Sequence, residues 1–342
     1  MASETWAAGI YLERTQASVL VAPFNRFNSK IEINDAQFSE YKFIESQNSD
    51  ERINIICSSL KDHIRICRVG VACYGPFASL DSGDSYDHIH EEHADPPFQG
   101  VNLRKRFGEA LRAVGLNKVV VSILHDGNAC ALGEAVARNL PRDQVLAYVL
   151  VTEGIGFGLA TGQTIHRSRV HPEIGPLSVR LAATDLLTKK LVKSADSYLG
   201  SLARLADNKS ILERRDMIDK RIKNLGHELL ASSFESRGYY LAQGCLALTA
   251  LFAPSRIVIG CDIDPRSNCV KRVREHFSSF LSIRADEERP LREYADMVDT
   301  NSYIVEPTPL EAEDRSPLTT IGATGAFGAC AAAVLSNRVE GR

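Results

Sequence analysis

Apolar residues along the chain fall into two spacings, and the switches between them predict the order of the elements. Residues 7–13 and 17–24 are short apolar runs rich in strand formers, divided by a turn near Arg14 and Thr15. Residues 41–46 offer a third short strand. Over 50–65, Ile53, Ile56, Leu60 and Ile64 fall on one helical face. A buried strand follows at 68–74 and stops at Gly75-Pro76, a strong breaker. Residues 78–100 are polar, with Gly, Pro, His and acidic side chains and no period, as in a functional loop or mouth. A helix over 102–114, a strand over 119–124 and a helix over 128–139 come next.

The pattern then restarts. A strand at 145–151 leads through a glycine-rich turn, 153–158, into a second strand ending near Ala160. A long helical region covers about 182–250, a strand follows at 256–259, and a last helix runs from about 322 to 335. Strands that open each half, followed by alternating strands and helices, predict an α/β chain of two similar lobes. The longest apolar stretch, 238–260, contains Gln243 and is cut by Pro254-Ser255-Arg256, so it reads as a buried helix entering a buried strand rather than a membrane span.

Composition narrows the function classes. Of 342 residues, 44% are hydrophobic and 24% charged, as in ordinary globular proteins. A net charge of -3 supplies no basic field for nucleic acid or an anionic membrane. The eight cysteines are scattered without a C-x-x-C pair, several inside apolar runs, which suits a reduced, cytoplasmic protein with free thiols. Residues 1–8 lack the pattern of a secretory signal.

Four segments carry candidate chemistry. In 122–134, Asp126 ends a buried strand where a helix starts, a place where α/β proteins bind ligands; taken alone, the segment reads first as a plain helix cap at Asp126 or Asn128. In 151–158, Gly154, Gly156 and Gly158 let a backbone approach phosphate, or form a tight hairpin. In 171–176, Glu173 is an acceptor able to grip two hydroxyls of a sugar, or part of an exposed turn. His88, His90 and His93, with Glu91, Glu92 and Asp95, have the chemistry of a metal site, but no helix or hairpin fixes their geometry, and a solvated loop is the preferred reading.

Taken in order, these segments resemble the ROK family (repressor, open reading frame, kinase), particularly its fructokinase-like members. The resemblance rests on Gly70 to Pro76, on Asp126-Gly-Asn-Ala-Cys-Ala-Leu-Gly-Glu134, on Gly154-Ile-Gly-Phe-Gly158, on His171-Pro-Glu-Ile-Gly175, on Arg256 to Gly260, and on the small-residue helix around Gly325 to Ala333. It implies a two-lobed, actin-like ATPase (ribonuclease H-like) fold with a central cleft. One lobe would be 1–125, with the helix of about 322–342 packing back on it; the other would be 126–321, including the helical insert of about 182–250. It implies ATP-dependent phosphorylation of a hexose or related polyol, with ATP and Mg²⁺, in a cytoplasmic homodimer. By this resemblance Asp126 is the general base. Glu173, His171, Asn128, His125, Gly75, Pro76 and Phe98 serve the sugar. Thr15, Arg14, Thr152, Gly154, Gly156, Gly158 and Gly260 serve the nucleotide.

The departures define a second reading. The family's D-x-G-G-T turn is here Tyr11-Leu-Glu-Arg-Thr15, so the aspartate that organises Mg²⁺ is Tyr11 and both glycines are charged residues. Glu13 sets a carboxylate where phosphate oxygens would approach, a repulsion unless Arg14 neutralises it. Thr152-Glu153 replaces the Gly-Thr that usually precedes the shared glycine, and Cys261-Asp262 replaces two glycines of the adenosine loop. Pro176 stands for the motif's second histidine, and 177–200 contains no cysteine, so structural zinc is not expected. No helix-turn-helix precedes Gly9, unlike the repressor branch. The alternative to a kinase is therefore a pseudokinase that binds a sugar-like ligand or a protein partner.

Overall fold

The computed structural model describes residues 5–77, 88–92, 95–166, 172–182, 185, 200–219, 226–261, 268–287, 298–311, 317–318 and 320–335. The chain divides into two compact units: residues 1–142, 158–172 and 307–342 form the first, and 143–157 and 173–306 the second. The boundary expected at 125/126 from the sequence differs from this division, because the helix that begins at Asp126 packs on the carboxy-terminal helix of the first unit.

The first sheet is built from β1 (Thr5–Leu12), β2 (Gln16–Asn25), β3 (Lys30–Ile31), β4 (Gln37–Lys42), β5 (Ile66–Cys73) and β6 (Val120–His125), in the order β3-β2-β1-β5-β6 with β4 also on β2. Strands β1, β5 and β6 run parallel, whereas the hairpin β1–β2 and the pair β2–β4 are antiparallel. Helices α1 (Ser49–Ser59) and α2 (Leu103–Ala113) bury Ile53, Ile56, Leu103, Phe107 and Leu111 with the apolar residues of β1 and β5. Asn48 starts α1 with a reciprocal cap to Glu51.

The boundaries of one strand and one helix beside the first sheet differ from the apolar pattern. The strand expected at 41–46 is β4, Gln37–Lys42; it is a largely exposed edge strand held by its ladder to β2, so hydrophobicity pointed past it. Helix α1 stops at Ser59, and Ile64 is exposed rather than part of a buried face.

Helix α3 (Asp126–Ala137) and the closing helix, numbered α9 here (Ile321–Leu335), are nearly all small residues and almost wholly buried. Glycines make their contacts side-chain-free. A Cβ on Gly328 would overlap the Ala129 carbonyl of α3, and one on Gly133 would crowd the Thr324 carbonyl of α9. On the sheet side, a Cβ on Gly9 or Gly70 would overlap the carbonyl of Ala326 or Ala329. Backbone therefore meets backbone across three layers: sheet, α9 and α3.

The second sheet has the order β11-β10-β7-β8-β9, from β7 (Val145–Val151), β8 (Ile155–Thr161), β9 (Thr164–Ile165), β10 (Arg256–Cys261) and β11 (Ile304–Val305). Within the second unit, α4 (Leu202–Ala206), α5 (Asn208–Asp219), the long α6 (Gly226–Phe252), α7 (Cys269–Glu287) and the short α8 (Thr300–Tyr303) provide the helical part. Strands β12 (Leu310–Glu311) and β13 (Pro317–Leu318) make a small separate hairpin. Among the described residues, no helix is long and apolar enough to cross a membrane.

Glycines with opposite surroundings separate packing from helix propensity. Gly328→Ala should destabilise the protein by about 1–3 kcal/mol through overpacking. Gly108→Ala, in α2, where the nearest atom to a new Cβ is the flexible Arg112 guanidinium at 3.6 Å, should stabilise it by about 0.5–1 kcal/mol. Urea denaturation of the two variants checks both signs.

Candidate functional site

Strand β6 runs into α3 with no loop between them. His125 is the extended N-cap residue and makes no side-chain cap bond, and Asp126 is already the first helical residue. The cap is thus neither Asp126 nor Asn128, and the helix starts two residues earlier than its apolar pattern indicates. Every residue of 127–135 is buried and so is His125, whereas Asp126 keeps 13% of its side chain exposed. Its Oδ1 accepts the Gly127 N–H at 2.6 Å and lies 3.0 Å from His125 Nδ1. A carboxylate here sits at the positive end of the helix dipole.

The neighbours of this carboxylate hold it in place. The His125 ring is edge-on to Phe77 at 6.0 Å, and it lies so close over Gly75 that a Cβ there would stand 3.1 Å from the ring. Pro76 follows through a cis bond. Cys73 faces His125 across the β5–β6 ladder, and burial, with the nearby Asp126 charge, pushes its thiol well up, so it remains protonated. Asn128 is buried, and its Oδ1 has no hydrogen-bond partner among the described residues. Phe98 is fully buried, edge-on to Tyr74 at 6.1 Å, with its ring in the core of the first unit.

Gly156 and Gly158 lie inside β8 rather than in the turn before it. A Cβ on Gly158 would overlap the Gly127 carbonyl, so this glycine lets β8 pass against the first turn of α3. Gly156 is tight against Leu150. The turn itself is Thr152-Glu153-Gly154, closed by Thr152 N–H donating to the Gly154 carbonyl at 2.9 Å; Gly154 has open space around it. The Thr152 carbonyl accepts the Asn208 N–H at the start of α5, at 2.8 Å. Gly260 makes room for the Tyr148 ring.

The first turn, Glu13 to Gln16, is closed on itself. Glu13 N–H donates to the Gln16 carbonyl at 2.9 Å, and the Glu13 carboxylate accepts from the Gln16 amide. The Arg14 carbonyl accepts from the buried Arg52 guanidinium, and that of Thr15 accepts the Phe43 N–H at 2.8 Å. The Arg14 guanidinium reaches Asp95 at 3.7 Å. Tyr11 is buried with its ring against Gly325 of α9, where it offers no carboxylate oxygen. The residues of this turn do not fit the magnesium-organising role.

In the second unit Glu173 is exposed, and the segment after it is tied down by Ala203 N–H to the Gly175 carbonyl at 2.9 Å and by paired bonds between Arg180 and Gln243. Further along, Asp185 is buried and accepts from Arg214 and from the Tyr240 hydroxyl, each at 2.9 Å. The Tyr240 hydroxyl in turn accepts the Ala182 N–H at 3.2 Å. An ion pair thus anchors Asp185 to Arg214 of α5. His171 lies outside the described residues, as does His93. His88 meets Asn102 and His90 accepts the Glu92 N–H; among the described residues no group of three or more His, Cys, Asp or Glu could hold a metal ion.

Residues 50–300 match the sequence profile of the ROK family. The chain belongs to the ROK family. A fructokinase from Streptococcus mutans is 26% identical over 255 residues, covering 73% of this chain and 76% of that relative. A ROK family protein from Streptococcus pneumoniae, solved in complex with sucrose, superposes with a TM-score of 0.62 at 17% identity, over 98% of this chain and all of that one. A ROK glucokinase from Streptomyces griseus, in complex with glucose and AMPPNP, gives 0.59 at 14% identity, over 96% and 99%. The fold is therefore the actin-like ATPase fold that the motif order implied.

Sequence reasoning missed Arg237 and Arg52, and the buried partners of Glu134, all of which organise these ROK segments. Arg237, fully buried in α6, donates to the Asp207 carbonyl, to Asn208 Oδ1 and to Cys261 Sγ, and so links the start of α5 to the end of β10. Arg52 holds the first turn from behind, under Phe43 at 4.9 Å. Glu134, the last residue of the Asp126 motif, is buried and accepts from Thr308 and Arg138. The one available signal was a charged residue inside an apolar helical run.

Removing one partner of the Asp185–Arg214 pair strands a buried charge. Arg214→Met should cost about 3–5 kcal/mol, and adding Asp185→Leu should restore much of the loss. Chemical denaturation of the single and double variants measures both.

Proposed function

We propose that this protein is an ATP-dependent kinase that phosphorylates a hydroxyl of a hexose or related polyol, with Asp126 as general base. The observation that carries the reading is the Asp126 carboxylate itself. It is the partly exposed position in an otherwise buried strand–helix junction, fixed between His125 and the Gly127 amide. A base must be held within hydrogen-bond reach of the proton it takes, and this one stands on a rigid helix start rather than a loop.

In the reaction, the Asp126 carboxylate accepts the hydroxyl proton as the sugar oxygen attacks the γ-phosphorus of ATP. The bond to the β–γ bridging oxygen breaks, and ADP leaves with that electron pair. Such a base contributes about 10² to 10⁴ in rate, and positioning and charge neutralisation supply the rest. Glu173 and His171 bind ring hydroxyls. Asn128 Oδ1, buried and unpaired among the described residues, orients the reacting end of the sugar. Thr152, Gly154 and Gly260 meet the nucleotide. Arg14 and Thr15 face its phosphates, with Arg14 held by Asp95. Gly156 and Gly158 act by packing, since both lie in β8. Mg²⁺ brought in on ATP would neutralise phosphate charge, and none of these assignments depends on a protein ligand for it. A fructose-type sugar is the first substrate to test, because the curated relative is a fructokinase.

One observation favours a second reading. The polar groups of the first turn are used by Gln16, Arg52 and Phe43, and the Glu13 carboxylate stands among them. A protein that retains the sugar loops and binds no ATP would have this turn.

Purified protein with Mg-ATP and a panel of hexoses should release ADP with at least one of them. Asp126→Asn should lower kcat by about 10² to 10⁴ while sugar-induced thermal stabilisation persists. Isothermal titration with ATP separates the two readings: no heat of binding, with no ADP from any sugar, leaves the pseudokinase.

A further inference from the structure

We propose that Gln243 and Gly244 of α6 are positioning residues for sugar recognition, pinning the two ends of the segment that carries Glu173; this rests on the reading of Glu173 as a sugar ligand. Residues 172–182 form neither helix nor strand, apart from one isolated bridge between Ser178 and Ser201. The place of Glu173 is therefore set by what the segment is tied to. At the far end, the Gln243 side chain bonds Arg180 on both sides of its backbone. Its Oε1 accepts the Arg180 N–H at 2.8 Å, and its Nε2 donates to the Arg180 carbonyl at 2.9 Å. A neighbouring antiparallel strand would satisfy the residue in the same way. At the near end Ile174, next to Glu173, is buried where α6 has Gly244. A Cβ on that glycine would stand 2.8 Å from the Leu202 side chain and 3.6 Å from that of Ile174.

Neither residue is explained by α6 itself. Gln243 stands in an apolar run beside the buried Leu241, Ala242, Cys245 and Leu248, and glycine is unfavourable inside a helix. Both choices serve the segment instead. Between its pinned ends, three backbone bonds hold the middle. The Leu202 N–H donates to the Leu177 carbonyl at 2.8 Å, and the N–H groups of Val179 and Ala203 take part in bonds of 2.9 Å to the carbonyls of Gly200 and Gly175. A ligand held on irregular backbone binds weakly unless that backbone is ordered beforehand, because ordering it otherwise costs binding energy. The α6 pair supplies this order at the two places where the rungs stop.

The full-length variants Gln243→Leu and Gly244→Ala are compared with the wild-type protein in two measurements. One is amide hydrogen exchange over residues 174–182 without ligand; the other is calorimetric titration with D-fructose and with D-glucose. Gln243→Leu should exchange faster over that stretch and bind the sugar about fivefold or more weakly, the worth of two neutral hydrogen bonds. In turnover assays the change should fall on KM for the sugar and not on kcat. Gly244→Ala should weaken sugar binding while the Arg180 bonds persist. Leu251→Gln, exposed on the same helix, should alter neither measurement. Unaltered exchange in Gln243→Leu overturns the clamp whether or not a sugar binds. Faster exchange with wild-type sugar affinity overturns the positioning role and leaves the Glu173 reading intact. A wild-type protein that binds neither sugar refutes the Glu173 reading, and the positioning role with it, whatever the exchange shows.

Discussion

The close approach of three backbones in the first unit is the constraint on which the candidate site depends. Helix α9 lies against β1 and β5 on one side and against α3 on the other, and at Gly9, Gly70, Gly133 and Gly328 the contact leaves no room for a methyl group. Packing at this distance gains dispersion from backbone atoms along the helix length, and it also removes freedom: α3 cannot slide or roll without collision. Asp126 is the first residue of that helix, so its carboxylate inherits the rigidity of the stack. Gly158 extends the same device, letting β8 lie against the turn that carries Asp126.

The two ends of the chemistry have met different fates. Around Asp126 the residues are buried and reciprocally fitted, from Gly75 under the His125 ring to Glu134 gripping Thr308. The turn between β1 and β2 instead is an ordinary closed hairpin, its carbonyls taken by Arg52 and Phe43. Near β10, Arg237 gathers the start of α5 and Cys261 into one network. A charged hub of this kind replaces backbone flexibility with side-chain geometry, and geometry of that sort responds to the chemical state of its members.

Much of the fold could be read from the chain because it depends on local pattern. Alternating apolar runs gave β1, β2, β5, β6, β7 and β10, and the glycine–alanine run marked α9 to within a residue. Strand β4 escaped because an edge strand with polar side chains is held by its ladder alone. Motif order disclosed the family, while the work of individual glycines stayed hidden: Gly156 and Gly158 read as a phosphate cradle, yet their neighbours are Leu150 and Gly127. Buried charges were the least legible. Asp185 meets Arg214 and Tyr240, and Arg52 meets Arg14, from distant parts of the chain, and no local spacing announces such partners.

Tyr11 carries an evolutionary consequence. Its buried ring fills the room left by Gly325. Placing an aspartate there in one step would leave a cavity the size of most of a phenol and lodge a carboxylate in it, a combined penalty of several kcal/mol. Gly325 would have to be filled in the same event for the hole to close. The fit therefore works as a ratchet: Tyr11 and Gly325 are bound to change together, and a single substitution at either position meets the packing of the other.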